Sequence, residues 1–283
     1  DEYEIGCDLV RGCGFREASV LAVNSKSKKY SISRAGMNIA DDAMFCTRGF
    51  VIRVFDGTLS AEYSCSEIGD DSFVAIGEAL ENIIGETKKR MNINQQPECV
   101  PETKHAAETE YFTEYEIHPE EMGDDAILSH LDKIRSKTLA CDENVMDCSV
   151  VCSYRRLAKR FLRGADGKIL EQKEQNILWM TSAAMVLVAR GEEIKDYYKG
   201  YSNLGGAEVL AEMEADVENN VKCAVALLDS EPIVPGEYEC ICTPDVTGMI
   251  VHEAFGHGVE MDMFVKKRAL AEQYICLLYT SDA

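Results

Sequence analysis

The sequence predicts an α+β fold: an N-terminal α/β domain, then a mixed region rich in antiparallel sheet, then a segment that opens a further domain. Three observations predict it. Runs alternating apolar and polar residues recur within residues 18–64 and 145–201, as half-buried strands do. Stretches with apolar residues at helical spacing follow each group, over residues 71–90 and 209–228. A polar stretch holding Pro97 and Pro101 separates the two groups.

Taken in order, residues 9–14 read as a short amphipathic helix, and Ala18 to Val23 and Lys29 to Ser33 as two strands. Gly49 to Phe55 and Thr58 to Ser64 flank Asp56-Gly57. Asp-Gly supplies the positive φ values of a tight primed turn, so this is a hairpin. Asp71 and Ser72 cap a helix whose apolar stripe is Phe73, Ile76, Leu80, Ile83 and Ile84, with Lys88, Lys89 and Arg90 at its negative end. These elements make the N-terminal domain, residues 1–96, and residues 92–105 make a linker.

The middle region, residues 111–235, opens with a strand over 111–117. Pro119 then begins a helix through Ile127, Leu128, Leu131 and Ile134. Runs at 145–154, 168–175, 177–188 and 197–201 read as an antiparallel meander turned at Gly164-Ala-Asp-Gly167. Gly205-Gly206 breaks that pattern, and Val209, Leu210, Met213, Val217, Val221, Val225 and Leu228 mark one long helix. Residues 238–242 read as a strand, and Pro244 to Gly248 as a turn.

The 283 residues, 46% of them hydrophobic, can bury a sizeable core. With 29 Lys plus Arg against 50 Asp plus Glu, the formal charge is −21. Such a surface repels phosphate backbones, which argues against nucleic-acid binding. The lone basic stretch, Tyr154 to Arg160, suits an exposed strand or turn. No apolar run approaches the roughly twenty residues of a membrane span, and the start lacks a signal peptide's basic flank. The reading is a cytoplasmic protein that contacts no membrane. Twelve cysteines without regular spacing read as reduced thiols. Cys148 with Cys152, and Cys240 with Cys242, are read as buried core groups because neither pair has CxxC spacing. The last residues, CLLYTSDA at 276–283, resemble the translation of a sequencing adapter, which places the natural frame's last residue near Ile275.

The chemistry concentrates in VHEAFGHGVE, residues 251–260. His252 and His257 are five apart, which a regular helix places about 140° from each other, too far to share a metal. A π-bulge adds a residue to one turn and would bring both imidazoles to one side. Gly256 and Gly258 make that distortion affordable for the backbone. Two imidazoles suit Zn²⁺, and Glu253 stands where a base for a zinc-bound water would. Glu260 and Asp262 are either carboxylates that fix an imidazole tautomer or ordinary surface acids. Two histidines satisfied by ordinary hydrogen bonds remain the alternative.

The string HEAFGHGVEMD, led in by CTPDVTGMIV, resembles the motif of the TldD/PmbA family of metallopeptidases, once described as modulators of DNA gyrase. CTRGFVIRVFDGTLS, the Gly205-Gly206-Ala-Glu208 helix opening and LLDSEPIVPGEYECICTPD are similar to that family too, so the likeness covers nearly all of Asp1 to Tyr274. The resemblance implies a motif-bearing, TldD-like subunit in which residues 236–275 begin a metallopeptidase C-terminal domain. It implies His252 and His257 as zinc ligands, Glu253 as catalytic acid/base, and unfolded peptides or leader segments as substrates. It implies assembly with a PmbA/TldE-like subunit, or with copies of itself, around an internal chamber. The family's third ligand is a cysteine far toward the C-terminus, for which Cys276 cannot stand in. This polypeptide is therefore expected to hold an incomplete, inactive site. The alternative function is a non-catalytic, chamber-forming subunit of the same family.

Overall fold

A computed structural model of the chain describes residues 14–69, 72–90, 107–166, 168–260, 262–263 and 267–269. The helix expected at 9–14 and the linker at 92–105 lie outside these residues, apart from Gly14. The chain divides into two compact units, Asp1–Ser230 and Glu231–Ala283. The first is a mixed α+β unit built on one eight-stranded sheet.

Three long strands form the spine: β1 (Glu17–Ser33), β6 (Val145–Ala165) and β7 (Lys168–Arg190). Five shorter ones flank them: β2 (Gly36–Asp41), β3 (Arg48–Phe55), β4 (Ser60–Cys65), β5 (Ala107–Phe112) and β8 (Glu193–Leu204). The order is β4-β3-β1-β6-β7-β5, with β2 also on β1 and β8 also on β7. Each outer long strand thus has two neighbours on its outer side: β1 pairs β3 over residues 17–24 and β2 over 28–33, while β7 pairs β5 over 171–176 and β8 over 179–190. Among the described residues only β5 runs parallel to its partner.

The spine therefore carries a separate core at each end. At one end helix α1 (Ser72–Arg90) lays Ile76, Leu80 and Ile84 onto Val20, Ile52, Val54 and Leu162. At the other, α2 (Pro119–Met122), α3 (Asp124–Cys141), α4 (Val209–Ala215) and α5 (Val217–Leu227) follow in sequence. Ile127, Leu131, Ile134, Leu210, Met213 and Val221 close over Val150, Cys152, Met180 and Val186. Fully burying such a side chain is worth roughly 1.5–3 kcal/mol, so each helix is held by its stripe rather than by propensity. The strands expected of the N-terminal domain and those of the meander belong to one sheet, joined through β1 and β6.

Several local expectations are corrected. The two strands at 18–23 and 29–33 are halves of β1, and the runs at 168–175 and 177–188 are one strand. The polar middle of β1 stays in the sheet because segment 42–47 crosses it: Ser25 donates to Phe45 O (2.7 Å) and pairs with the Thr47 hydroxyl (2.8 Å), while Ser27 donates to Tyr154 O (3.0 Å). The β3–β4 hairpin forms, but through a four-residue loop. Asp56 N donates to Leu59 O (3.1 Å), and Asp56 Oδ1 accepts from Thr58 N and Leu59 N. Of the two central residues only Gly57 has a positive φ, 103°, and a primed type I turn needs two.

The helix expected from Pro119 is two helices, divided at Gly123 with φ 84°. The long helix of 209–228 is interrupted at Asp216, whose carboxylate accepts from the Tyr201 hydroxyl (3.2 Å). Strand β5 ends at Phe112: Thr113 N still donates to Asn176 O (3.0 Å) on β7, and Ile117 O accepts from Ala207 N (2.8 Å) just ahead of α4. No strand forms at 238–242, since the ladders among the described residues all belong to the first unit and a lone strand leaves its backbone groups unpaired. Cys148 and Cys152 are buried as expected, with burial pushing the Cys152 thiol up to about 12, whereas Cys240 and Cys242 are exposed. The basic stretch is committed internally: Arg155 stacks between Phe45 (3.1 Å) and Trp179 (5.1 Å), and Arg156 and Arg160 face Glu120 and Glu174. No helix among the described residues is long and apolar enough to cross a membrane.

Candidate metal centre

The second unit carries the histidine motif on helix α6 (Pro244–Ala254). The residues expected as a turn, 244–248, are instead the helix's first turn. Thr243 is extended at the cap (φ −66°, ψ 160°), Pro244 takes the position where a missing N–H does no harm, and Asp245 meets the positive end of the dipole. Thr247 N donates to Thr243 O (2.9 Å).

The two imidazoles do come together, but not through a π-bulge. Phe255 N makes the last α-type bond, to Val251 O (3.0 Å), and Phe255 then leaves helical geometry at φ −129°, ψ −42°. A 3₁₀ turn, Gly256–Val259, follows at once, closed by Gly258 N donating to Phe255 O (2.9 Å). His252 sits in the last turn of α6 and His257 in the 3₁₀ turn, so the break replaces the 140° separation of a continuous helix with a new direction. Neither Gly256 nor Gly258 has a positive φ, and a Cβ at Gly256 would meet nothing closer than Val251 O at 3.8 Å. Their small size is compatible with the turn without being required by it.

The ring centroids of His252 and His257 are 4.6 Å apart, edge to face at 73°. Glu253 reaches both: one carboxylate oxygen is 3.9 Å from His252 Nε2 and the other 3.8 Å from His257 Nε2. One ligand atom from each of the three residues lies within 4.8 Å of the others. Donors around a tetrahedral zinc with bonds near 2.0–2.1 Å stand about 3.3 Å apart, so side-chain rotations of about an ångström or two would suffice. Nitrogen and carboxylate donors are also the right chemistry for that ion, so the residues fit the group.

Glu260 completes the local arrangement. Its Oε1 is 2.8 Å from His257 Nδ1, and this hydrogen bond raises the pKa of His257, with its charge and then that of Glu253 adding to the effect. With Glu260 accepting from Nδ1–H, the neutral ring would offer Nε2, on the side of Glu253, to a cation. Asp262 is exposed beyond Glu260, in a turn where Met263 N donates to Glu260 O (3.0 Å). Side-chain exposures of 63%, 66% and 52% for His252, Glu253 and His257 leave the trio open to solvent. Among the described residues it is the one group of three or more such side chains placed to share a cation. The i,i+3 spacing of His257 and Glu260 was the sequence signal for their contact.

No protein-family model matches the chain. A metalloprotease of Methanothermobacter thermautotrophicus is 26% identical over 110 residues, which cover 38% of this chain and 24% of that protein. Among solved structures, a proposed modulator of DNA gyrase from Bacteroides thetaiotaomicron superposes with a TM-score of 0.61 at 13% identity, covering 90% of this chain and 56% of the other. A second, from Thermotoga maritima, gives 0.56 at 13% identity over 78% of this chain and 46% of its own. The chain thus spans about half the length of these structures and a quarter of the metalloprotease. Its fold is that of the proposed gyrase modulators, and part of its sequence is related to a metalloprotease.

Proposed function

We propose that the chain is the motif-bearing part of a TldD/PmbA-type metallopeptidase, a cytoplasmic zinc enzyme that cuts unfolded peptides or leader segments. The observation that carries this reading is the approach of His252, Glu253 and His257 to within 4.8 Å, because a generic surface helix has no reason to fold two imidazoles around one carboxylate. The metalloprotease relative supports it. In the proposal His252 and His257 would hold the ion, Glu260 would fix the tautomer of His257, and a third ligand would come from outside the described residues. Zinc, when bound there, supplies a Lewis acid and lowers the pKa of its water to about 7. Glu253 takes the proton as the peptide carbonyl is attacked and passes it to the leaving amine. Assembly with a related subunit, or with a second copy, encloses the site and excludes bulk water.

The test is Glu253→Gln in the complete gene product, with bound zinc and peptide cleavage both measured. The expected result is one zinc per site retained and cleavage reduced by about 10² or more. Zinc lost together with activity would make Glu253 a ligand rather than the base. Cleavage that survives would remove the mechanism, and a wild-type protein that binds no zinc would remove the function.

A further inference from the structure

Strand β5 is an edge: it pairs β7 on one side, and no described strand pairs its other side. From this edge we propose that β5 binds an extended basic segment of another protein by antiparallel strand addition. Lys or Arg side chains of that segment lie beside Glu108 and Glu110, and an apolar one lies beside Phe112. The inference does not rest on the metal site.

The free side of the edge follows from the register. Phe112 pairs with Asn176, and Thr113 N, next along, donates to Asn176 O (3.0 Å). Backbone groups alternate in direction along a strand, so Thr109, Tyr111 and Thr113 face β7. Glu108, Glu110 and Phe112 therefore aim their N–H and C=O outward, and all six residues of β5 are exposed. The side chains of those three outward residues share one face of the sheet.

The chemistry of that face selects a cation. Glu110 stands opposite Glu174, and Glu108 opposite Gln172. Glu174 has Arg160 at 3.5 Å on β6, but among the described residues neither Glu108 nor Glu110 has an ion-pair partner. Like charges directly opposite destabilise a sheet, so a cation on the outer side of Glu110 relieves the repulsion from Glu174. Acids alone would only protect the edge. Here, however, Tyr111, Phe112, Tyr115 and Ile117 are 42%, 54%, 49% and 44% exposed, with Glu114 and Glu116 among them. Four large apolar side chains within seven residues form a contact surface, not a deterrent. A second copy would set its own glutamates against these, and the formal charge of −21 adds to that repulsion, so the occupant is a basic partner.

The probe is a labelled, end-blocked hexapeptide, Leu-Val-Lys-Thr-Lys-Thr, titrated with the 283-residue chain and followed by fluorescence anisotropy. Laid antiparallel along residues 112 to 107, it sets its leucine beside Phe112 and its lysines beside Glu110 and Glu108. Binding should saturate, weaken with added salt, and exceed that of the same peptide with Glu for both Lys by about tenfold. Glu108→Lys combined with Glu110→Lys should reverse the preference between the two peptides. Glu110→Pro removes an outward N–H and leaves the β7 ladder intact, whereas Glu110→Gln removes the charge alone. The proline variant should therefore bind several-fold more weakly than the glutamine variant, with far-UV dichroism unchanged in both. A wild type that shows no saturable binding, equal binding of the two peptides, or equal binding by Glu110→Pro and Glu110→Gln would each overturn the proposal.

Discussion

Replacing Gly206 by alanine should destabilise the first unit more than any other single methyl added between the sheet and its helices. A Cβ built there lies 2.1 Å from Ile117 O and 2.9 Å from Ile117 C, both backbone atoms that cannot rotate away. Reaching even 3.0 Å demands a shift of 0.9 Å (3.0 minus 2.1). That shift falls on a junction built from three hydrogen bonds: Ala207 N to Ile117 O (2.8 Å), Ile117 N to Glu208 Oε2 (3.2 Å) and Gly206 N to Glu208 Oε1 (2.6 Å). Overpacking of this kind typically costs about 1–3 kcal/mol, and a lost hydrogen bond about 1 kcal/mol net. The expected loss is therefore about 3 kcal/mol, read as a Tm lowered by about 6–12 °C for a unit of this size. Urea or thermal unfolding followed by dichroism measures it. Gly205→Ala is the control: its Cβ would meet only the Glu208 carboxylate, at 2.6 Å, a side-chain end that can shift at the expense of its bonds from Gly206 N and Ile117 N, so it should lose less, about 1–2 kcal/mol. Equal losses for the two variants, or a Gly206→Ala loss below about 1 kcal/mol, would refute the argument that backbone contact sets the cost.

Other perturbations follow from the same contacts. Glu260→Ala should weaken zinc binding by about 10–100-fold in competition titrations, because it frees His257 to adopt either tautomer. Met180→Ala empties a fully buried position on β7 and should cost about 2–5 kcal/mol by urea titration. Asp124 is held below its ordinary pKa first by the hydrogen bond from Lys28 and then by that from Tyr30. A depressed carboxylate contributes stability above its unfolded pKa, near 3.9, and loses it as pH falls through the lower folded value. Asp124→Asn should thus be less stable than wild type at pH 7, by about 1 kcal/mol or less because the group is 43% exposed, and the two unfolding curves should converge as pH approaches 2.

The fold was legible where a single physical rule decides the outcome. Alternation of Ala18 and Val20, or of Cys148, Val150 and Cys152, can serve only a sheet with one covered face, and the stripe of Ile76, Leu80 and Ile84 can serve only a helix. Legibility failed where a contact distant in sequence outweighs local composition. Asn24 to Lys28 reads as a break because five polar residues have no local reason to extend. Ser25 and Ser27 extend because Phe45, Thr47 and Tyr154 offer their oxygens across the sheet. The strand expected at 238–242 fails for the complementary reason: its composition suits a sheet, but pairing requires a neighbour, and no local pattern reports whether one exists.

The metal motif divides along the same line. Spacing alone requires that two histidines five apart can cooperate only if the helix between them is irregular, and the irregularity is there. Spacing does not say which kind. A π-bulge keeps the helix running and needs one wide hydrogen-bonded turn inside it, whereas a break into a 3₁₀ turn ends the helix and spends only the geometry of one residue, Phe255. In the second solution α6 stops two residues past His252, with the carbonyl of Val251 satisfied by Phe255 N. It also moves Glu260 onto His257 Nδ1, since tightening from 3.6 to 3.0 residues per turn stacks side chains at i and i+3 above one another. The carboxylate that orients the imidazole is thus a consequence of the same turn that brings the imidazoles together.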